Sequence, residues 1–285
     1  MEKIAVVTDT GSNLSFAQAK ELGIYLLPLQ ITIDETTYQD TLEISTQDIY
    51  NELANGKMPK TSMAAYQKIY DLFEELKKDY DTIFAVPLTN GLSTNASTMQ
   101  SIARELEMNV HVIDMYSTCE IEKHVAIWIK RLVDEHKSSQ EILDIIQPAI
   151  DESNSLILVK NLQHLKRGGR LTPMAAALAG LLKIYPVLHI NKSTKGRIDV
   201  LNKVRTEKRA DAYAIDKVMD DIDIQHTHIY IIHSNFLEGA DHFKKCFIEK
   251  GVPEQNIHID YISSVIAVHT GLGCIAIQYI RELTI

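Results

Sequence analysis

The stretch Ile4-Ala5-Val6-Val7-Thr8-Asp9-Thr10-Gly11-Ser12-Asn13 decides the fold. Ile4 to Thr8 is a short apolar run that gives way to polar and turn-forming residues, the pattern of a buried strand emptying into a loop. A short helix follows, and the same alternation continues downstream. Ile24 to Ile33 reads as a second extended run. Ser45 begins an S-x-x-D capping pattern, which predicts a helix over Thr46 to Ala54. The Pro-containing stretch Lys57 to Ser62 leads into a helix from about Ala64 to Lys78, in which Tyr66, Ile69, Tyr70, Phe73 and Leu76 recur at helical spacing. Thr82 to Val86 and Val110 to Ile113 read as strands flanking a helix near Thr94 to Leu106. Helices near Glu120 to Glu135 and Gln140 to Ile150 come next, the second announced by Ser138 and Glu141. Strands alternating with amphipathic helices predict an α/β first domain over residues 1–150 with a Rossmann-like parallel sheet.

After Asp151-Glu152-Ser153-Asn154 the texture changes, and a second α/β domain with a mixed sheet is expected over residues 151–285. A strand from Leu156 to Val159 precedes the basic turn Lys166-Arg167-Gly168-Gly169-Arg170. The Ala-rich segment Met174 to Leu182 follows. Tyr185 to Ile190 and Arg197 to Leu201, joined through Lys195-Gly196, read as an antiparallel hairpin. A helix near Glu207 to Asp220, a strand at Ile229 to His233, a helix, a strand at Ile257 to Tyr261 and a final helix complete the expected order.

The 285 residues are 45% hydrophobic and 24% charged, an ordinary globular balance for two domains. Lys plus Arg is 29 and Asp plus Glu is 38, a formal charge of −9. That acidity disfavours nucleic acid, whose backbone needs a concentrated positive face. Cys119, Cys246 and Cys274 are far apart, odd in number and free of C-x-x-C spacing, which suits reduced thiols in a cytoplasmic protein. No signal peptide is legible at the start. The richest apolar window, Leu171 to Ile184, is interrupted by Thr172, Pro173 and Lys183 and is too short to span a bilayer.

Several motifs bear on chemistry. Gly271-Leu272-Gly273-Cys274-Ile275-Ala276 matches a dinucleotide fingerprint, read as lying between a strand and a helix. Only nine residues follow Ala276, so the βαβ unit that this chemistry requires has no second strand. No nucleotide cofactor is expected, and the glycines remain a place of close backbone approach. Gly91-Leu92-Ser93-Thr94-Asn95 resembles a nucleophile elbow without its last glycine, and Asp114 and His269 follow in hydrolase order. The plainer reading of Ser93 is a helix cap, as it is for Thr61 and Ser62. His226 and His228 lack a third ligand at metal-binding spacing, so no metal is expected. Arg170, after two glycines, can turn its guanidinium inward or belong to a solvated turn.

Taken together the sequence resembles the DegV family, bacterial fatty-acid-binding proteins that serve a fatty acid kinase. Val7-Thr8-Asp9-Thr10 with Asn13-Leu14 is similar to its opening V-T-D-S-x-x-D-L. Thr61-Ser62 stands where the family has T-S-Q-P-S, and Leu92-Ser93 where it has L-S-G-T. Leu162 to Arg170 is similar to L-x-x-L-x-x-G-G-R, Lys183 to Leu188 to its K-x-x-P segment, and Val204-Arg205-Thr206 to V-R-T. His269-Thr270-Gly271-Leu272-Gly273 resembles H-T-G-P-G. The resemblance implies one long-chain fatty acid in a tunnel between two domains. Thr61, Ser62, Ser93, Arg170, His269 and Thr270 would surround its carboxylate. It implies a kinase partner that phosphorylates that carboxylate, with Arg205 matching an arginine implicated in the partnership. It further implies a place in phospholipid metabolism, transient contact with a membrane surface, and an accessory role without catalysis. The alternative is an acyl hydrolase using Ser93, His269 and Asp114, or Asp9 as the acid.

The departures from the family pattern are Met63-Ala64-Ala65 after Thr61-Ser62, Thr94-Asn95-Ala96 after Ser93, and Met115 after Asp114. They bear on chain-length preference more than on binding mode. The chemistry suits a carrier. Burial is worth about 0.8 kcal/mol per methylene, so a sixteen-carbon chain supplies on the order of 10 kcal/mol before losses. Met174 to Leu182 reads as one wall of such a tunnel, or as an ordinary buried helix. Hydroxyls on Thr61, Ser93 and Thr270 can donate to the carboxylate, with Arg170 and a protonated His269 supplying charge.

Overall fold

The computed structural model describes residues 2–181 and 183–283. The opening run forms strand β1 (Ile4–Asp9), buried along its whole length, and a single 3-10 turn joins it to α1 (Phe16–Leu22). The expected extended run over Ile24 to Ile33 divides. β2 (Tyr25–Leu27) stays beside β1, whereas β3 (Gln30–Ile33) leaves to join a different sheet. Pro28 marks the break, since its ring removes a ladder donor. β4 (Thr36–Gln39) and, beyond α2 (Thr46–Ala54), β5 (Lys60–Ser62) complete that small antiparallel sheet in the order β4-β3-β5. Neither β4 nor β5 is legible in the sequence, being three or four polar residues each.

The parallel sheet grows from α3 (Tyr66–Leu76), β6 (Thr82–Val86), α4 (Asn95–Glu105) and β7 (Asn109–Val112). Its order is β2-β1-β6-β7, with every pairing parallel. α5 (Glu120–Asp134) and α6 (Ser139–Glu152) follow. The two predicted capping boxes form, with Ser45 accepting from the Asp48 N–H and Ser138 from the Glu141 N–H.

The second sheet has six strands. β8 (Asn154–Leu158) is followed by α7 (Leu162–Arg167), a short helix where a basic turn was expected, and by α8 (Pro173–Leu178). The predicted hairpin is β9 (Tyr185–Ile190) with β10 (Asp199–Val204), antiparallel. Then come α9 (Glu207–Asp221), β11 (Thr227–His233), α10 (Leu237–Glu249) and β12 (Ile257–Tyr261). The expected final helix is instead α11 (Ser264–Thr270) and a closing strand, β13 (Ile275–Arg281). β13 inserts antiparallel between β8 and β11, giving the mixed order β10-β9-β8-β13-β11-β12. Burial on both faces makes Ile275 to Ile280 apolar at every position but Gln278, a run whose period tells nothing of helix or strand.

The layers follow from strand alternation. Val6, Phe84 and Val86 on one face of the parallel sheet meet α5 and α6, whose other side meets Ile157, Leu188, Ile232 and Ala276 of the mixed sheet. Val7, Ile83 and Ala85 on the outer face of the first sheet pack with α3 and α4 residues such as Ile69, Phe73 and Met99. Leu156, Ile231 and Ile277 on the outer face of the second pack with Ala214, Val218, Phe243 and Phe247 of α9 and α10. At the junction, Gln278 donates to Ser155 Oγ and the Thr118 carbonyl and accepts from the Glu120 N–H, each at 2.9 Å. A buried glutamine satisfied this way ties the two sheets to each other.

Candidate functional site

In the parallel sheet the chain leaves β1 toward β2 on one side, while β6 and β7 lie on the other. The crevice outside the carboxyl ends of β1 and β6 is therefore a topological switch point, where open α/β sheets hold ligands. A cavity of about 420 Å³ opens there, in the size range of small-molecule sites. Thr61, Ser62, Ser93, Arg170, His269 and Thr270 all line it, drawn from β5, the loop before α4, the segment after α7, and α11. Its apolar wall comes from Leu29, Leu88, Leu92, Ile198 and Val265.

The six do not contribute alike. Thr61 Oγ1 lies 2.7 Å from His269 Nε2, joining the small sheet to α11. Ser62, one residue on and so on the other side of β5, is exposed at the rim and donates to Gln30 Oε1 at 3.1 Å. Ser93 Oγ accepts from the Asn95 N–H at 3.1 Å, so it caps a helix start and lines the cavity at once. Thr94, the N-cap residue of α4, gives no side-chain bond, which leaves first-turn N–H groups and the helix dipole beside the cavity. Arg170, half-buried, donates from Nη1 to the Gly168 carbonyl at 2.6 Å and from Nε to the Leu92 carbonyl at 3.3 Å. Thr270 Oγ1 turns back toward the Ile266 carbonyl at 3.3 Å.

The expected charge on His269 is corrected. Burial, then the adjacent Arg170 guanidinium and His164, push its imidazole down to about 3. It is neutral near pH 7 and serves as a hydrogen-bonding group, leaving Arg170 as the cation of the cavity. Gly168 makes room for the ring, since a Cβ there would stand 2.9 Å from His269 Nδ1.

The loop carrying Ser93 is held from below by residues that sequence reasoning missed. Asp9, fully buried, accepts from the Gly11 N–H at 2.8 Å, the Leu88 N–H at 2.9 Å and Asn95 Nδ2 at 2.7 Å. Glu122, also fully buried, accepts from Thr8 Oγ1 at 3.3 Å, and its other oxygen has no partner among the described residues. Burial and then the charge of Asp9 drive the Glu122 carboxyl well above the usual range, and burial raises the Asp9 carboxyl as well. Above, Gly91 lies against Gly196, and a Cβ on Gly91 would fall 2.0 Å from the Gly196 carbonyl oxygen. The V-T-D opening was the only sequence signal for this support. Nothing local pointed to Asn95 or Glu122.

The hydrolase relay does not form. Asp114 accepts from Thr89 Oγ1 at 2.6 Å and the Tyr116 N–H at 2.9 Å, Asp9 is committed as above, and the hydrogen-bonded partner of His269 is Thr61. His226 and His228 diverge, to Asp223 and His258 respectively. Among the described residues no group of three or more His, Cys, Asp or Glu is placed to hold a metal ion. The expected wall at Met174 to Leu182 is corrected in part. α8 is short, Met174 and Leu181 stand exposed, and Leu182 lies outside the described residues.

The cavity continues past Leu92, Ile198, Ile266 and Thr270 into an apolar crevice of about 30 Å³, the room of one water. Ile157, Ile190, Ile232 and Ala276 of the mixed sheet line it, and the hydrogen-bonded cluster of Ser155, Thr118 and Gln278 closes its far end. Arg205 is elsewhere, exposed just after β10. Residues 160–209 hold twelve Lys and Arg against two Asp and Glu, a locally basic stretch in an acidic chain. No helix among the described residues is long and apolar enough to cross a membrane.

The family model described as uncharacterised protein, DegV family, matches residues 3–282. A DegV domain-containing protein of Halalkalibacterium halodurans is 32% identical, the match covering 99% of this chain and all of that one. A fatty acid binding DegV family protein from Streptococcus agalactiae superposes with a TM-score of 0.91 at 28% identity, over 99% of this chain and 100% of that one. DegV of Bacillus subtilis, described as a fatty acid binding protein, gives 0.86 at 26% identity with the same coverage.

Proposed function

The chain belongs to the DegV family, and on that premise we propose that it carries one long-chain fatty acid, with the carboxylate in the 420 Å³ cavity and the tail directed into the apolar crevice. The observation that carries this reading is convergence. Six residues from distant parts of the chain line one cavity that mixes a single cation, hydroxyls, a helix start and aliphatic walls. A carboxylate bound there pairs with Arg170 and accepts from Ser93 and Thr61, while Ser62 serves the rim and Thr270 the turn toward the tail. A narrow crevice widens for the tail as Ile198 and Ile266 part, and the Gln278 cluster ends the path.

In the same reading the protein presents its ligand and does not transform it. A partner kinase passes a phosphoryl group from its nucleotide to the carboxylate oxygen, giving an acyl phosphate. The metal and the nucleotide belong to the partner. Arg205, exposed within the basic stretch over residues 160–209, is assigned to that contact. The same stretch, with Met174 and Leu181 exposed, suits a transient approach to an anionic membrane surface. The lobes on either side of the ligand are taken as residues 1–150 and 151–285.

The test is mass spectrometry of lipid extracted from purified protein, followed by reloading with palmitate. The expected result is one fatty acid per chain. Preparations that contain none and take up none would refute the carrier.

A further inference from the structure

A second cavity, of about 270 Å³, lies on the opposite face of the mixed sheet. Ile157 and Ala276 face the crevice described above, whereas their neighbours Leu158 and Ile275 face this one, as strand alternation requires. The two cavities share no lining residue. This one sits outside the carboxyl ends of β8 and β11, between the starts of α9 and α10. From β8 the chain turns to β9 and β10 on one flank, and β11 and β12 lie on the other, with the start of antiparallel β13 between them.

Its walls are built rather than incidental. Phe236 lies flat on the first turn of α10, where a Cβ on Gly239 would stand 2.3 Å from the ring. The stem of Lys160 crosses Gly273 in the same way, a Cβ there falling 2.8 Å from the Lys160 Cγ. This accounts for the second glycine of Gly271-Leu272-Gly273, which no nucleotide explains. The Lys160 ammonium stands 4.8 Å above the Phe236 ring and pairs with Glu207, so the cleft already holds one cation on an aromatic face.

Asp211 remains. It is half-buried in the cleft, and its carboxylate takes no hydrogen bond from the described residues. Burial pushes it above the usual range despite the nearby charges of His242 and Lys160. An anion at the starts of α9 and α10 would meet Glu207 and Glu238 already in those first turns. A neutral ligand would leave Asp211 unpaired. We propose that this cleft is a second binding site, for a small organic cation whose ammonium pairs with Asp211 and whose apolar body lies against Phe236 and Phe243.

Ligand-observed NMR on the full-length protein tests it, with 2-phenylethylamine as probe and 3-phenylpropionate as the same body with the opposite charge. The amine saturates, the acid does not, and Asp211→Asn weakens the amine about tenfold while leaving the thermal melt in place. Absence of saturable amine binding, equal binding of the acid, or an affinity unchanged in Asp211→Asn would overturn the proposal. The parent protein alone decides the charge comparison, so the outcome does not depend on how the variant folds or on fatty-acid binding in the first cavity.

Discussion

Arg170 is the one side chain in the first cavity that keeps a charge near neutral pH, and so it is expected to dominate carboxylate retention. A charge-assisted hydrogen bond contributes about 1.5–3 kcal/mol. Arg170→Ala should therefore weaken fatty-acid binding about 10- to 100-fold by fluorescent fatty-acid displacement. Ser93→Ala should cost about tenfold or less. Both variants should keep their fold, because among the described residues the Arg170 side chain bonds to two carbonyls at the cavity edge and that of Ser93 to one N–H. Equal retention in all three proteins would move the carboxylate elsewhere. His269 gives a second prediction at this scale. Its folded-state pKa of about 3 lies below the unfolded value, so below about pH 6.5 the unfolded chain binds the extra proton and stability falls on acidification. Asp40, raised to about 6 by burial, works in the opposite sense between about pH 4 and 6. In urea unfolding, His269→Gln should reduce the loss between pH 7 and about pH 5 by about 2 kcal/mol. An unchanged loss would show that the ring takes up its proton as readily in the folded chain as in the unfolded one. Single residues were legible where a hydroxyl or guanidinium sat in a recognisable motif. The Asp9, Asn95 and Glu122 support was not, because its bonds join positions 86 and 114 residues apart.

At the scale of elements, the cavity exists because a loop from the first sheet and the hairpin of the second touch backbone to backbone. Gly91→Ala drives a methyl into Gly196, with nothing flexible to give way. Overpacking of this kind costs typically 1–3 kcal/mol, and here it also pries open the cavity edge, so both the melting temperature and palmitate uptake should fall. Gly180→Ala, where a Cβ meets nothing within 4 Å, is the control and should change stability by less than about 0.5 kcal/mol. If the two variants melted alike, the Gly91–Gly196 contact would be immaterial. The same scale shows why some elements were readable and others were not. α2, α3 and α5 carry an apolar stripe on one polar helix, and the capping boxes at Ser45 and Ser138 fixed two helix starts. β13 was misread because burial on both faces erases its alternation, and β2 and β3 merged because only Pro28-Leu29 separates strands that belong to different sheets. β4 and β5 are short, polar and defined only by each other's company with β3.

For the whole molecule, the charge distribution sets the proposed ligand cavity apart from the proposed partner surface. The chain carries −9 in total, yet residues 160–209 hold twelve of its 29 cations. Arg205 is exposed there and touches neither cavity. Arg205→Ala should leave palmitate affinity within about twofold of the parent and lower the rate of kinase-dependent phosphorylation, with a milder dependence of that rate on salt. An unchanged rate would remove Arg205 from the partner surface. In the proposed complex one fatty acid lies with its head among Thr61, Ser93 and Arg170 and its tail between the two sheets. A crystal structure of the protein grown with palmitate tests this most directly. Carboxylate density is expected within hydrogen-bond reach of Ser93 and Arg170, with hydrocarbon density running past Ile198 and Ile266 toward Gln278. Palmitate bound in the Asp211 cleft or on the outer surface, with Ile198 and Ile266 still closed over the crevice, would contradict it.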